Sequence, residues 1–587
     1  MRKKWLVAKK IPKEWQNQFP EINPVILQLL YNRGLKTQAE IDEFLNPDYG
    51  QDIHDPYLFR DMKKAVERIF QAIENKEKIM VHGDYDADGV CASVMMVSTL
   101  KELGANVDVY IPHRVTEGYG LNKKTVSELA KQGVNLIVTV DCGIANHAEV
   151  DLANEKGMYV IITDHHETLP ELPKAYAIIN PKVAGEKYPF KFLSGAGVAF
   201  KVVQALVNYE LRTKNQEHGI KSSKFKVQSS RLIDGYEKWL LDLVALGTVA
   251  DCVPLIGENR TLAKYGLVVL RKTRRLGLQE LAKVAQISLA GADTYTIGFQ
   301  MAPRLNAAGR LDHANTAFEL LITKDGEEAK QIAENLNKKN QERQRTTEKM
   351  VQEAKEQIGE VDENKKILIA QKQGWSAGLV GLVAGKLSDE FARPTLVIGL
   401  KKDEAVGSGR SIPEFDITQA LIKCGDLLTR YGGHSQACGF ELMVVNLEKF
   451  EACMTKIANK QLKSEDLSKK TLIDTEIKLE AVNWDLHELF ESFEPFGEEN
   501  PRPKFVAYGL EVVQLDKVGA DGKHLKLMVK HCESDHCRKL IAFGIGNSWG
   551  DQLKIGDKID IIFEVSVREW NGQRELQMKV VDLKRAN

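Results

Sequence analysis

His82-Gly83-Asp84-Tyr85-Asp86-Ala87-Asp88-Gly89 begins at the last residue of the apolar run 79–82, and it places three carboxylates and an imidazole within seven residues. Ionised together, such groups repel one another, so a folded site built from them needs cations, and hard divalent metals are the fitting kind. Gly83 and Gly89 let the backbone turn tightly round the cluster. A lone D-x-D is better explained as a solvated acidic loop, so the metal reading needs partners from elsewhere in the chain.

Those partners follow. Between 78 and 180 one arrangement repeats: a short apolar run suited to a buried strand, polar residues, then a helical pattern. The runs are 79–82, 107–111, 136–140 and 159–163, with amphipathic stretches 61–74 and 123–132 around and between them. The alternation predicts a doubly wound α/β sheet of parallel strands, in which ligands sit at the strands' carboxyl ends. Thr139-Val140-Asp141-Cys142-Gly143 puts a carboxylate directly after one run, and Thr163-Asp164-His165-His166 does so after another. Neutral imidazole suits Mn²⁺ or Zn²⁺, and an adjacent carboxylate can orient the ring. Asp251 ends the largely apolar stretch 239–250, which reads as a buried helix. Singly, Asp141 is accounted for as a helix cap and Asp251 as a helix end. Together the four segments favour a dinuclear metal site.

Farther along, 327–357 is charged, of helical composition and free of Gly and Pro, the pattern of a solvent-bridging helix joining two lobes. A second α/β unit has strands at 366–370 and 395–400 around a small-residue helix at 378–387. Beyond about residue 460 come short alternating strands with turn signals at Asp521-Gly522 and Asn571-Gly572, which suits an OB-type β-barrel. The polar stretch 210–230 reads as a loop or insertion. The expected fold is therefore α/β: two α/β lobes joined by a long helix, then a barrel. The expected divisions are 1–55, an N-terminal segment; 56–315; the linker helix 316–360; 361–460; and 461–587.

Composition sets limits. At 587 residues, 43% hydrophobic and 28% charged, the chain has the make-up of an ordinary globular protein with about three or four domains. The 81 Lys plus Arg nearly cancel the 82 Asp plus Glu, so any polyanion site is a local patch. Eight scattered cysteines form no disulfide framework and fit a reducing compartment. The apolar stretch 5–8 is far short of a secretory leader, and no run of about 18 apolar residues occurs, so the expected location is cytoplasmic. No G-x-x-x-x-G-K-[ST] string occurs, which disfavours an ATP-driven motor.

The order H-x-D-x-D-x-D, Asp, D-H-H, Asp resembles the four motifs of the DHH phosphoesterases. The stretch 82–89, with Glu117-Gly118-Tyr119-Gly120-Leu121, Leu193-Ser194-Gly195-Ala196-Gly197 and Ala302-Pro303-Arg304-Leu305-Asn306-Ala307-Ala308-Gly309-Arg310, is similar to the RecJ-type single-strand-specific exonucleases of that superfamily. The likeness runs from about residue 40 to the C-terminal region. It implies a DHH catalytic domain over 56–315, a DHHA1 domain over 361–460 and an OB-type nucleic-acid-binding domain over 461–587.

By position, the resemblance implies one Mn²⁺ or Mg²⁺ ion on His82, Asp86 and Asp141 and a second on Asp88, Asp141, His165 and Asp251, so that Asp141 bridges the two. Asp84 and Asp164 would support these ligands, and His166 would face the scissile phosphate. The histidines lean towards Mn²⁺. Gly407-Ser408-Gly409-Arg410-Ser411 and Gly432-Gly433-His434 resemble a DHHA1 phosphate cradle, with Arg410, Ser411, Gly432, Gly433 and His434 as its parts; a glycine-rich structural turn is the plainer account. Arg304, Arg310 and Arg114 would be further phosphate contacts, against the plainer reading of surface ion pairs.

The implied reaction is in-line hydrolysis of a phosphodiester, releasing nucleotides 5′→3′ from single-stranded DNA in repair and recombination. Helicase and single-strand-binding protein are left open as partners, and no membrane is involved. Two alternatives stay open: a DHH phosphodiesterase acting on short oligonucleotides or cyclic dinucleotides, and an inactive DNA-binding scaffold. In the barrel Phe505, Tyr508, Phe543, Trp549 and Trp570 are available for base stacking, though at least half are expected in its core. The cluster Arg271, Lys272, Arg274, Arg275 and the run Lys338, Lys339, Arg343, Arg345 could follow a DNA backbone or simply be solvated faces. His531-Cys532-Glu533-Ser534-Asp535-His536-Cys537 lacks the second half of a zinc site and reads as a hairpin turn. In Phe493-Glu494-Pro495-Phe496-Gly497-Glu498-Glu499-Asn500-Pro501, RecJ-type proteins often carry Gly where this chain has Glu499.

Overall fold

The computed structural model describes residues 4–114, 116–217, 232–531, 536–570 and 573–586. The chain divides into two compact units: Tyr49–Val253 with Glu258–Lys469, and Met1–Asp48 with Pro254–Gly257 and Lys470–Asn587.

In the larger unit the apolar runs become parallel strands ordered Asn106–Tyr110, Lys78–Gly83, Val134–Val140, Tyr159–Thr163 and Ala177–Ile179. Their near-continuous Val/Ile composition follows from burial of both faces. Val81, Val138 and Ile161 pack among the helices Met62–Glu74, Ala87–Glu102 and Gly195–Glu217, whereas Ile137, Val160 and Ile162 pack with Val126 and Val150 of Lys123–Lys131 and His147–Glu155. The short strand Ala177–Ile179 is an addition to the four runs read from sequence. The loop expected over 210–230 is corrected for its first part, because the helix Gly195–Glu217 runs through it. Glu210, Leu211, Arg212, Lys214 and Gln216 are good helix formers, and nothing breaks the helix before Gly219. Residues 218–231 lie outside the described residues. The stretch 239–250 is the expected buried helix, Leu241–Ala250, with Asp251 as its C-cap.

The linker helix Gly326–Ile358 starts at Asp325, whose carboxylate accepts the N–H groups of Glu327 at 2.8 Å and Glu328 at 3.0 Å. It is less solvated than its composition suggests, since Ala329, Ala333, Leu336, Asn340, Thr347, Met350, Ala354 and Ile358 make one buried face. Beyond it a sheet runs Arg430–His434, Ala437–Met443, Glu404–Arg410, Thr395–Leu400, Leu368–Gln373; only its last pair is parallel. The two glycine-rich strings are thus strands rather than turns. A Cβ at Gly409 would lie 2.6 Å from Cys438 Sγ and 2.6 Å from Ile417 Cδ1, so close packing requires that glycine. Cys424 and Cys453 are disulfide-bonded with their Cα atoms 6.4 Å apart, a pairing the scattered cysteines did not announce.

In the smaller unit Phe505–Val518, His524–His531, Cys537–Ala542, Gln573–Arg585 and Lys558–Trp570 close into a five-stranded barrel through the pairing of Phe505–Val518 with Lys558–Trp570. The N-terminal segment shares its core: Phe19, Ile26, Leu27, Leu30, Ile41 and Phe44 cluster with Phe493, Phe505, Leu527 and Ile561. Of the named aromatics Phe505 is core, while Tyr508 and Phe543 are exposed; the Trp570 side chain lies outside the described residues. Asp521-Gly522 makes the expected turn with φ of 61° and 66°. Asn571-Gly572 and 532–535 of the discounted zinc string fall outside the described residues. Among the described residues no helix is long and apolar enough to cross a membrane.

Glu499 keeps the turn that glycine would make, at φ 57°, a left-handed conformation that costs a side chain about 1–2 kcal/mol. Glu499→Gly is expected to stabilise the smaller unit by about 0.5–1 kcal/mol once the extra freedom of glycine in the unfolded chain is subtracted. Thermal unfolding followed by the fluorescence of that unit's tryptophans measures it, and a lower midpoint would contradict the strain.

Candidate metal centre

Strand register brings the acidic motifs together. Gly83 faces Val140, and Val140 faces Thr163, so the next residues, Asp84, Asp141 and Asp164, stand level at the carboxyl edge of three adjacent strands. The strand Lys78–Gly83 lies between Asn106–Tyr110 and Val134–Val140, where strand order reverses and open α/β sheets take up ligands. Asp86 caps the helix Ala87–Glu102, its Oδ1 accepting the N–H groups of Asp88 at 2.9 Å and Gly89 at 3.1 Å. Asp88 accepts the N–H groups of Gly195 at 2.7 Å and Ala196 at 2.9 Å, at the start of the helix Gly195–Glu217. Asp141 is held at φ 61°, rare for a residue with a side chain, by its N–H bond to Thr163 O at 2.9 Å and by Tyr119 Oη donating to Asp141 O at 2.9 Å. Strain of this kind persists where the surroundings impose it, commonly at functional sites.

Three sets of donor atoms fall within 4.8 Å of one another: Asp84, Asp86 and Asp141; Asp88, His165 and Asp251; and Asp141, His165 and His166. The second set holds three of the four residues expected of one ion, Asp88, His165 and Asp251; the fourth, Asp141, falls in the other two sets. The first joins Asp84 to the expected Asp86 and Asp141, and His82 is in none of the three sets; its buried ring has Nδ1 3.7 Å from Cys142 Sγ and an Nε2 without a hydrogen-bond partner. Asp84 Oδ1, Asp141 Oδ1 and His165 Nε2 are likewise buried without a hydrogen bond, although His165 Nε2 lies 3.1 Å from Asp141 and 3.5 Å from Asp251. Asp164 is different. Its Oδ2 accepts the backbone N–H of Ile144 at 2.9 Å, and its Oδ1 accepts the backbone N–H of His165 at 2.7 Å and meets His166 Nδ1 at 2.8 Å, so it braces the His166 imidazole and the backbone at His165.

Burial, then mutual repulsion, raises the carboxyls of Asp84, Asp141 and Asp251 well above the usual range, and Asp88 to about 7. Burial also lowers His165 to about 3 and His82 to about 4. Neutral imidazoles with open nitrogens beside crowded carboxyl oxygens make a donor set short of cations, and its hard oxygens and borderline nitrogens fit Mn²⁺ or Mg²⁺. In the metal-free folded chain Asp88 keeps its proton up to about pH 7, whereas in the unfolded chain an aspartate has lost it above about pH 4. Metal-free stability therefore falls as pH rises through that window, and a bound cation removes the penalty. Saturating Mn²⁺ is expected to raise the melting temperature by several degrees at pH 8 and by clearly less at pH 6; an equal rise at both would contradict the proton competition.

Arginines converge on the same edge. Burial first, then Arg114 and Arg343, pushes Arg310 down to about 9, against the opposing pull of Asp86. Arg310 donates to Gly378 O at 3.1 Å, and its Nε has no partner. The Arg114 guanidinium lies 4.7 Å from the centre of the Tyr85 ring. Arg304 donates to Gln300 O at 2.5 Å and Asn337 Oδ1 at 3.0 Å. Arg410 donates to Ser408 Oγ at 3.1 Å and Gly409 O at 2.8 Å. Ser411 Oγ is committed to Phe415 O at 2.6 Å. Gly432, Gly433 and His434 lie on the exposed strand Arg430–His434, two strands across from Arg410 at the same level.

Sequence reasoning missed several contributors. Tyr119 Oη lies 2.9 Å from His166 Nδ1, and Asn306 Oδ1 accepts the N–H of Ala87 at 2.7 Å, tying the helix Ala302–Leu311 to the acidic loop. Both stand inside quoted motifs, which was the available signal. Arg343 separates from its run: it is half-buried with an unpartnered Nε, whereas Lys338 and Arg345 are exposed and Lys339 pairs with Asp312. The cluster 271–275 is largely taken up internally, since Arg271 donates to Ala292 O at 3.0 Å, Arg274 stacks 3.8 Å over Trp239 and Arg275 pairs with Asp242 at 3.2 Å.

Residues 78–248 match the model of the DHH family N-terminal domain, 364–461 that of the DHHA1 domain and 473–582 that of the RecJ OB domain. The chain is 38% identical over 563 residues to the single-stranded-DNA-specific exonuclease RecJ of Bacillus subtilis (strain 168), covering 96% of this chain and 68% of that one. Its structure is similar to the crystal structure of Thermus thermophilus RecJ in complex with Mn²⁺, with a TM-score of 0.82 at 27% identity over 100% of this chain and 80% of that one. The Mg²⁺ complex of RecJ from the same organism gives a TM-score of 0.76 at 26% identity, over 100% and 79% of the two chains. With strand register, donor groups and near-complete alignment agreeing, the chain belongs to the RecJ family.

Proposed function

We propose that this chain is a metal-dependent exonuclease that hydrolyses single-stranded DNA from the 5′ end, holding two divalent ions. The observation that carries this reading is the set of overlapping donor groups with unpartnered buried atoms, with the guanidinium groups of Arg114 and Arg310 close enough to Asp84 and Asp86 to act on them. One ion would take Asp88, His165 and Asp251, with Asp141 3.1 Å from His165 Nε2; the other would take Asp86 with Asp84 and Asp141. Asp141 would belong to both. Bound there, divalent ions lower the pKa of water towards neutrality and offset the charge that develops on phosphate oxygens.

The protein's own groups do the rest. Asp164 and Tyr119 fix the His166 ring through Nδ1, leaving its other nitrogen for a phosphate oxygen. Arg310 and Arg114 supply cationic donors on one side of that phosphate, and buried guanidinium gains from such an anion more than an exposed one does. Arg410, with the backbone of the strand Arg430–His434, offers a place for a terminal phosphate, which would set the polarity. We assign catalysis to 56–315, phosphate capture to 361–460, the connection to 316–360 and strand binding to 461–587, where Tyr508 and Phe543 are the exposed aromatics. Helicase and single-strand-binding protein are the partner classes suited to supplying such a strand.

The test is degradation of single- and double-stranded oligonucleotides with either end blocked, with and without Mn²⁺. Release of nucleotides only from an open 5′ end of single strands, only with the metal, is expected. A preference for dinucleotides over a long 5′-phosphorylated strand would favour the short-substrate reading instead.

A further inference from the structure

We infer that Tyr295 and Phe299 form a stacking platform for one nucleobase of the substrate strand, next to the metal centre; the inference rests on the nuclease reading above. The two rings are 59% and 70% exposed, yet they stack on each other with centroids 4.8 Å apart and planes at 24°. Scattered exposed apolar residues are ordinary. A pre-stacked pair held on a rigid support is not.

The support is a π-helical segment, Thr296–Met301, which turns its own Ile297 and Met301 into the core. Tyr295 and Phe299 share the four-residue spacing of Ile297 and Met301 but are offset from them by two residues, which sends them to the opposite side. Asp293 Oδ1 fixes the start of the segment by accepting Thr296 N at 2.8 Å and Thr296 Oγ1 at 2.9 Å. π-Helical turns are uncommon and concentrate at functional sites.

Placement joins the pair to the reaction. A Cβ at Gly298 would lie 3.8 Å from Val249 Cγ1, two residues before Asp251. The segment continues directly into the helix Ala302–Leu311, which carries Arg304, Asn306 and Arg310, and Arg304 bonds back to Gln300 O. The rings thus stand on the segment that leads into the arginine-bearing helix and packs on the helix ending at Asp251, and a strand whose scissile phosphate lies at the metal donors would meet them with a guanidinium about one turn away. Residues flanking the rings, Asp293, Thr294 and Gln300, are polar and only half-buried. A protein partner is recognised by aromatics set in a wider apolar patch, whereas a base needs only ring faces and a nearby cation for its phosphate.

The experiment compares the full chain with its Tyr295→Ala/Phe299→Ala double variant and with Phe299→Trp. Fluorescence anisotropy in EDTA, where nothing is cleaved, measures binding of 5′-phosphorylated single strands bearing one abasic site walked along the sequence. Hydrolysis of bis(p-nitrophenyl) phosphate, a phosphodiester without a nucleobase, in Mn²⁺ reports the metal centre alone. The double variant is expected to bind the intact strand about tenfold more weakly and to keep the small-ester rate within twofold, while Phe299→Trp binds as the parent does. One abasic position should weaken the parent by the same factor and leave the double variant unaffected. If every abasic position costs parent and variant equally, or small-ester hydrolysis falls in parallel with binding, the platform is overturned. Unchanged strand binding by the double variant assigns the rings to a protein surface and also overturns it. Failure of the parent chain to bind any single strand removes the nuclease reading, and the platform with it.

Discussion

Asp141→Ala is expected to lower phosphodiester hydrolysis by about a thousandfold or more, roughly 4 kcal/mol of lost transition-state stabilisation. Asp141 stands in two of the three donor sets, so its removal strips a ligand from both. The carboxylate is not a fold requirement, since its Oδ1 makes no hydrogen bond, and its removal relieves repulsion from Asp88 and Asp86. Metal-free stability should therefore hold or rise. Asp141→Gly separates the ligand role from backbone strain: at φ 61° glycine relaxes the position, so this variant should melt higher than the alanine one and be equally inactive. Single-strand binding in EDTA should stay close to that of the parent. Turnover near the parent rate in either variant would remove Asp141 from the centre.

How much of this was legible depended on whether the signal was local. The strands at 136–140 and 159–163 declare themselves because unbroken Val and Ile are needed where both sheet faces are covered, and the acidic residues that follow them are placed by that alone. The pairing of Lys4–Val7 with Lys470–Ile473 carries no such mark; an edge strand paired across most of the chain is chosen by packing, not by its own composition. Gly407 and Gly409 look like turn residues because glycine usually marks turns, and only the neighbours Phe440 and Cys438 explain glycine inside a strand. That Asp84 joins Asp86 and Asp141 in one donor set is finer than spacing can specify. Arg343 was hidden in a charge run because the run itself is what a solvated helix face looks like.

Gly195→Ala is expected to be nearly as damaging as loss of a ligand, although it adds one methyl group. Position 195 opens the helix Gly195–Glu217 without a left-handed backbone, and alanine is about 1 kcal/mol better than glycine inside a helix; propensity alone therefore predicts a gain. Space predicts the opposite. A Cβ there would lie 2.5 Å from the Cβ of Asp141 and closer still to its carboxylate, while the Gly195 N–H donates to Asp88 at 2.7 Å. The helix end can lie between two candidate metal ligands only because residue 195 has no side chain, so a methyl group pushes Asp141 aside or lifts the helix end from Asp88. Overpacking of this kind costs about 1–3 kcal/mol, and the displaced donors should lower turnover about a hundredfold or more and abolish the Mn²⁺-dependent rise in melting temperature. Gly197→Ala is the matched control: its Cβ would meet Leu193 at 3.3 Å and Ser194 at 3.6 Å, not a carboxylate, and it should keep activity within several-fold. If Gly195→Ala turns over like the parent and retains its Mn²⁺ response, the helix end does not shape the centre and the proposed role of Asp141 loses its structural support.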